Sequence, residues 1–493
     1  MDLSARIRAV LELDPAADAV QFEGTWRPWS TMSTTLETIE TLLPGVGTEV
    51  PVAVVLRNRP ETHAAMVATL AAHRTLLTLN PNQPDSVVAS DVERLRPTVV
   101  VASAIDWSRP GFAEVVRAVG ACGVEVADSQ PPRLVEGLER PSAGAHHPPV
   151  PGVAVQMLTS GTTGPAKRIP LRYANVEAAI ESAGHYFGQE QSAPRLRKSV
   201  QILWAPMVHI SGLWAAITAA AEGRRVSLME RFNVEQWVAV VREHRPRITS
   251  LPPTPMRMVM DAHVPAEALS SLQAVRAGTA PMPPQLSTAF EERYGIPVLP
   301  AYGATEFVGA VAGMTLDDHR RYGPSKRGSV GRAQPDIELR VVDQDTGAVL
   351  GTGEQGVVEV RGPQVGKEFV RTTDLAVVDE DGFIWLKGRA DDVIIRGGFK
   401  VPTTAVAEAL KEHPKVADAA VVGVPDERLG AVPVAAVELV PGESVTSEEL
   451  KDHLRERVTP YQVPVDFKIV EHLPRTVSLK VSQPGVRALF GLP

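Results

Sequence analysis

Between residue 50 and about residue 300, short apolar runs alternate with stretches in which apolar residues return every three or four positions. The runs Val52 to Leu56, Thr98 to Ala102, Val153 to Leu158, Val200 to Leu203, Arg225 to Leu228, Ile248 to Leu251, Gln273 to Ala277 and Val298 to Pro300 read as strands. Glu61 to Ala72, Gly111 to Val119, Ala174 to Phe187, Gly212 to Ala221 and Val234 to Glu243 carry the helical period between them. Val153 to Leu158 reads as a buried strand, and the alternation of strands with helices predicts βαβ units in a largely parallel sheet. Ahead of this region, residues 1 to about 45 are mixed: a helical start, then a polar stretch through Trp26-Arg27-Pro28-Trp29.

After about residue 325 the pattern changes. Ser329 to Asp343, Gly356 to Val360 and Leu375 to Leu386 alternate or run apolar, with Glu380-Asp381-Gly382 as a turn, which predicts antiparallel hairpins. From Asp392 a helix (Thr404 to Glu412), two strands (Ala419 to Val424, Val432 to Leu439), a helix (Glu448 to Arg457) and a strand (Asp466 to Val470) form a small α+β unit. Thr446 with Glu449 is a capping box for its second helix.

At 493 residues the chain exceeds the size of one growing core, so two or more domains are expected. A net charge of −8 leaves no basic excess for general nucleic-acid binding. The one cysteine, Cys122, allows no intrachain disulfide. The start Met1-Asp2-Leu3-Ser4-Ala5-Arg6 lacks a signal-peptide core, and the apolar stretch Ala64 to Leu79 is interrupted by His73 and Arg74. The expectation is a cytoplasmic protein without integral membrane association.

One loop carries the strongest chemistry: Leu158-Thr159-Ser160-Gly161-Thr162-Thr163-Gly164-Pro165-Ala166-Lys167. Its glycines let backbone N–H groups approach an anion, its hydroxyls add donors, and Lys167 adds charge. A Walker loop would need Gly at Ala166 and Ser or Thr at Arg168, and the dinucleotide spacing is absent. Taken alone, a solvated turn remains the plain alternative.

Further motifs follow in order: Tyr302-Gly303-Ala304-Thr305-Glu306, Thr372-Thr373-Asp374-Leu375, Gly388-Arg389-Ala390-Asp391-Asp392, Ile394-Ile395-Arg396-Gly397-Gly398-Phe399-Lys400, and Pro474-Arg475-Thr476-Val477-Ser478-Leu479-Lys480. With the loop, this set resembles the adenylate-forming superfamily over about residues 50 to 490, and within it the AMP-dependent acyl-CoA synthetases, the carboxylate–CoA ligases. The resemblance implies an α/β fold: a large N-terminal domain of parallel-type sheets with helices plus a β-hairpin subdomain, residues 1–390, and a small mobile α+β lid, residues 391–493. Asp391 would be the hinge.

The same resemblance implies the site. Thr159, Ser160, Gly161, Thr162, Thr163, Gly164 and Lys167 would cradle the β- and γ-phosphates of ATP. Glu306, with Thr162, would hold Mg²⁺, a hard cation suited to oxygen donors. Tyr302 would stack on adenine, with Gly278, Thr279 and Ala280 on its other side and Gly303, Ala304 and Thr305 completing the nucleotide contacts. Asp374 would accept the ribose hydroxyls, and Arg389 would reach ribose or phosphate. Lys480 would be the catalytic lysine, acting with Glu306, Thr162 and His209. His209, Ile210, Ser211, Gly212, Ala301, Gly303, Val308 and Gly309 would form a small, apolar acyl pocket, and Gly397, Gly398 and Lys400 would face coenzyme A on the lid. Outside the resemblance, His209 reads as structural, Trp214 as core, Glu306 as a surface acid, Asp374 as a turn cap, and Arg389 and Lys480 as an ion-pair partner and a solvated lysine.

The chain departs from the family pattern at Thr373 and Leu479, where Gly is usual, at Arg168 after Lys167, and in the short Lys367 to Arg371 bridge before Asp374. The implied activity joins a medium-chain fatty, alicyclic or aromatic acid to coenzyme A through acyl-AMP, with a small-molecule acid, ATP and coenzyme A as partners and no nucleic acid; a homodimer is left open. Loading of a carrier protein, arrest at acyl-AMP, or a nucleotide-binding protein with impaired catalysis are the alternatives.

Overall fold

The computed structural model describes residues 1–42, 50–142, 146–148, 150–159, 167–186, 193–390, 392–396, 399–476 and 479–492. The chain divides into two compact units, Met1–Gly323 with Gln334–Ile337 and Arg361–Lys367, and Pro324–Ala333 with Glu338–Val360 and Glu368–Pro493. The position after residue 390, expected to separate lid from main domain, lies inside the second unit, because the hairpin strands group with the C-terminal α+β segment.

The first unit is built on parallel sheets. The largest runs Gln130–Leu134, Cys122–Ala127, Val99–Ser103, Val52–Val55, Leu76–Leu79, Val153–Thr159, Lys167–Arg172, parallel throughout except for the two outermost strands. Val52 to Val55 and Val99 to Ala102 are buried on both faces, which is why they show no alternation. Helix Pro60–Ala71 is buried along its whole length and packs against this sheet. A second sheet sets Arg197–Leu203, Arg224–Leu228 and Asp18–Phe22 parallel, with Thr25–Pro28 antiparallel. A third sets Ile248–Ser250, Ala274–Ala277 and Val298–Ala304 parallel, followed by the antiparallel Gly309–Gly313.

In the second unit, Glu338–Val342, Gly356–Gly362, Gly366–Val378 and Ile384–Arg389 form the expected hairpin sheet. The C-terminal sheet runs Phe399–Pro402, Val393–Arg396, Gly430–Leu439, Val416–Asp426, with Asp466–Val470 parallel to Gly430–Leu439. Helices Thr403–Lys411 and Ser447–Arg455 supply its own apolar core through Val406, Leu410, Leu450 and Leu454. The Thr446–Glu449 capping box is formed in both directions.

Candidate active site

The two strands that flank the candidate phosphate loop in sequence pair with one another. Lys167–Arg172 folds back on Val153–Thr159, pairing Thr159 with Lys167 and Leu158 with Arg168, before helix Tyr173–Tyr186 begins. A strand therefore intervenes where the sequence pattern passes from loop to helix. Ser160, Gly161, Thr162, Thr163 and Gly164, together with Asp391, Gly397 and Gly398, lie outside the described residues. Just past the loop in sequence, Arg168 is a half-buried anchor. Its guanidinium donates to the carbonyls of Thr78 (3.1 Å) and Gln156 (3.2 Å) and pairs with buried Asp91. Burial lowers its pKa against the pull of Asp91. The family's glycine is thus replaced by a side chain that ties the outer strand across its neighbour.

The strand Lys167–Arg172 runs beside the turn Thr305–Phe307. This brings the base of the loop to Glu306, about 140 residues away in sequence. Glu306 is exposed and has no hydrogen-bond or ion-pair partner among the described residues. An exposed carboxylate without a competing cation suits a hard divalent ion, so the one described member of the implied Mg²⁺ pair fits that group. The turn is strained. Val308, which is 3% exposed, takes φ +58°, unfavourable for a β-branched residue, and Gly309 follows at φ +128°. Gln364, also buried, donates its side-chain amide to the carbonyls of Phe307 (2.9 Å) and Ala310 (3.0 Å), clamping both ends of the strained pair.

Parallel strands bring the other nucleotide candidates together. Ala277 pairs with Pro300, so Gly278, Thr279 and Ala280 leave one strand beside Ala301 and Tyr302 of the next. A Cβ on Gly278 would come no nearer than 3.9 Å to other atoms, the nearest being the Ala301 carbonyl, so this glycine keeps open space above the strand. Thr279 takes φ +69°. Tyr302 is buried, its ring edge-on to Phe307 at 6.4 Å. Ala304 and Thr305 are half-buried at the strand end.

The acyl-pocket candidates come from two elements that meet. His209 is the N-cap of helix Ile210–Glu222, and its backbone N–H donates to the Pro206 carbonyl at 2.9 Å. A Cβ on Gly212 would lie 2.3 Å from that same carbonyl oxygen, so only glycine lets the helix start so close to the preceding turn. Trp214, one turn on, lies 3.8 Å from where a Cβ of Gly309 would be, joining the helix to Gly309–Gly313. A Cβ on Gly303 would strike the Gly309 carbonyl at 2.0 Å, so glycine at this acyl-pocket candidate permits the pairing of the two strands. The sequence did not reveal Asn58. Buried after Val52–Val55, it donates to the carbonyls of Trp204 (3.2 Å), Ala205 (2.9 Å) and Met229 (3.2 Å) and accepts from Met207 N–H (2.9 Å), fixing the turn that leads to His209.

In the second unit, Asp374 and Arg389 are cross-strand partners. Arg389 donates to the Thr373 hydroxyl at 2.6 Å, so the residue that replaces the family's glycine holds the arginine. Lys400 lies on Phe399–Pro402. Lys480 ends a tight turn in which Thr476 N–H donates to the Lys480 carbonyl (2.7 Å) and Leu479 N–H to the Thr476 carbonyl (2.8 Å). Leu479 adopts φ +63°, the left-handed conformation a glycine there would favour. The Lys480 side chain is exposed, so the desolvation that lowers its pKa is partial.

The family model described as AMP-binding enzyme matches residues 12–370, and that described as AMP-binding enzyme C-terminal domain matches residues 405–480. 4-Coumarate–CoA ligase-like 2 of Arabidopsis thaliana is 30% identical over 350 residues, 66% of this chain and 60% of that protein. 4-Coumarate–CoA ligase 3 of Oryza sativa subsp. japonica is 29% identical over 467 residues, 90% and 83% respectively. The match spans about three-fifths of the length of the Arabidopsis relative. Among solved structures, ATP-bound MatB from Rhodopseudomonas palustris shares the fold at TM-score 0.83 and 23% identity, covering 99% of this chain and 98% of that one. The amide bond synthetase McbA from Marinactinospora thermotolerans does so at TM-score 0.79 and 25% identity, covering 99% and 100%.

Proposed function

The chain belongs to the AMP-binding enzyme family, and we propose that it is an ATP-dependent carboxylate–CoA ligase for an uncharged acid. The observation that supports this reading is the strand Lys167–Arg172, which follows the hydroxyl- and glycine-rich motif in sequence, beside the Thr305–Phe307 turn, whose Glu306 carboxylate has no partner among the described residues. A carboxylate oxygen attacks the α-phosphorus of ATP, the bond to pyrophosphate breaks, and acyl-AMP forms. The thiol of coenzyme A then attacks the acyl carbon and AMP leaves. The first step builds negative charge, and preorganised donors and cations stabilise it. Lys167 and Lys480 supply positive charge and Asp374 orients the ribose; Glu306 with Thr162 would hold Mg²⁺, which would supply neutralisation of phosphate charge.

His209, Ile210, Ser211, Gly212, Ala301, Val308 and Gly309 offer no lysine or arginine to a second carboxylate. That supports a neutral acid of medium size: fatty, alicyclic or aromatic. The relatives named as 4-coumarate–CoA ligases support the aromatic class. The likeness to an amide bond synthetase favours a second reading in which an amine takes the acyl group. A pyrophosphate-exchange assay over a panel of carboxylic acids tests the first half. Product analysis with coenzyme A or an amine tests the second. No exchange with any acid defeats the ligase reading, and amide without thioester selects the second.

A further inference from the structure

The turn that carries Lys480 is held by charge. Asp418 and Glu438 face one another across the two longest strands of the C-terminal sheet. Like charges directly opposite are destabilising in a sheet, and these two are only 15% and 12% exposed. Two cations offset them. Lys411 lies 3.3 Å from Asp418. Arg475 reaches both acids, Asp418 at 2.7 Å and Glu438 at 3.5 Å, with its own side chain 19% exposed. Its other terminal nitrogen lies 3.5 Å from the Leu479 carbonyl, one residue before Lys480.

The backbone around Arg475 is fixed to the same carboxylates. Leu473 N–H donates to Glu438 Oε2 at 2.9 Å, and Arg475 forms an isolated antiparallel bridge with Val481. A Cβ on Gly485 would lie 2.6 Å from Pro474, so the terminal helix Gln483–Leu489 also packs closely on the stem of the turn. The stem thus contacts both a helix and the acidic pair, and one guanidinium spans from that pair to the carbonyl beside Lys480.

We propose that Asp418 and Glu438, acting through Arg475, are positioning residues for Lys480, setting the turn from which its ammonium serves adenylation. This rests on the ligase reading above. Neither acid touches substrate. Their effect is confined to the step that uses Lys480, whereas a merely structural pair would depress both half-reactions alike.

The test is the double variant D418N/E438Q. The amides keep the shape and the acceptors for Ala419 and Leu473 N–H, remove the opposed charges and take away the ion pairing that draws the guanidinium to them. Pyrophosphate exchange is expected to fall by about tenfold or more through kcat, as for a small misplacement of a catalytic group, with the KM values for ATP and acid little changed. Capture by coenzyme A of acyl-AMP supplied to the enzyme is expected to stay within about twofold. Equal losses in both steps, or undiminished exchange in a folded variant, overturn the proposal. Should the double variant fail to fold by circular dichroism, Arg475→Lys is read instead. It keeps the charge and loses the fork, and the same split, smaller in size, is expected; its absence overturns the proposal equally. Wild-type enzyme that exchanges no pyrophosphate defeats the functional reading before any substitution, and this inference falls with it.

Discussion

Leu479 shows how one residue can keep a backbone while changing its cost. Its φ of +63° is the conformation that glycine adopts freely and that an L side chain holds at about 1–2 kcal/mol. The turn therefore already has the shape a glycine would give it. Leu479→Gly should leave pyrophosphate exchange within a few-fold, and stability should change by about 1 kcal/mol or less, strain relief being offset by the freedom glycine gains when unfolded. A large rise in exchange would mean that the leucine side chain holds Lys480 back. Lys480→Ala should lower adenylation by roughly 10²-fold, the scale of losing a preorganised electrostatic group, while capture of supplied acyl-AMP survives. Normal adenylation by that variant would remove Lys480 from the reaction.

Among the elements, the parallel strands are the part legible in the sequence, because burial on both faces writes them as unbroken apolar runs such as Val52 to Val55 and Val99 to Ala102. Lys167–Arg172 is hidden for the opposite reason. It is an outermost strand, charged at three positions and carrying Pro170, which only such a strand tolerates. Helices Pro253–Asp261 and Pro284–Tyr294 begin on prolines that read as breakers although they stand at the first helical position. The site motifs were legible as local strings. The clamps were not, since Asn58 meets residues 204–207 and Gln364 meets residues 307–310 only through tertiary folding. Asn58 tests the value of such a clamp. Asn58→Ala leaves the Met207 N–H and the carbonyls it served without their partner, and buried unpaired groups cost about 1–3 kcal/mol each. A loss of about 2–3 kcal/mol in urea unfolding is expected, with a raised KM for the acid because the turn before His209 loosens. Unchanged stability would show that water replaces the amide at no cost.

For the molecule as a whole, one deeply buried titratable group lies on the fully buried helix Pro60–Ala71. His63 of Pro60–Ala71 is 2% exposed, neither ring nitrogen has a hydrogen-bond partner among the described residues, and burial lowers its pKa to about 4. The fold therefore keeps it neutral. Above the unfolded value near 6.5 both states are neutral and stability is undiminished. As pH falls from there toward 4 the unfolded chain takes up a proton that the folded chain refuses, and up to roughly 3 kcal/mol is lost. Glu61, two residues earlier, acts with the opposite sign. Burial raises its carboxyl, so it weakens the fold when ionised and ceases to do so as the pH drops toward its unfolded range. The two groups divide the window: the histidine dominates from about pH 6.5 downward, and the acid softens the fall at its lower end. His63→Leu replaces two unpartnered nitrogens with apolar atoms of similar bulk, which is neutral or stabilising at neutral pH. Urea midpoints for wild type and variant at about pH 7.5 and pH 5 read the difference. Wild type should lose roughly 2 kcal/mol more than His63→Leu between them, the proton-uptake cost over that interval. Parallel losses in the two proteins would show that the ring is protonated, or reaches water, inside the folded helix.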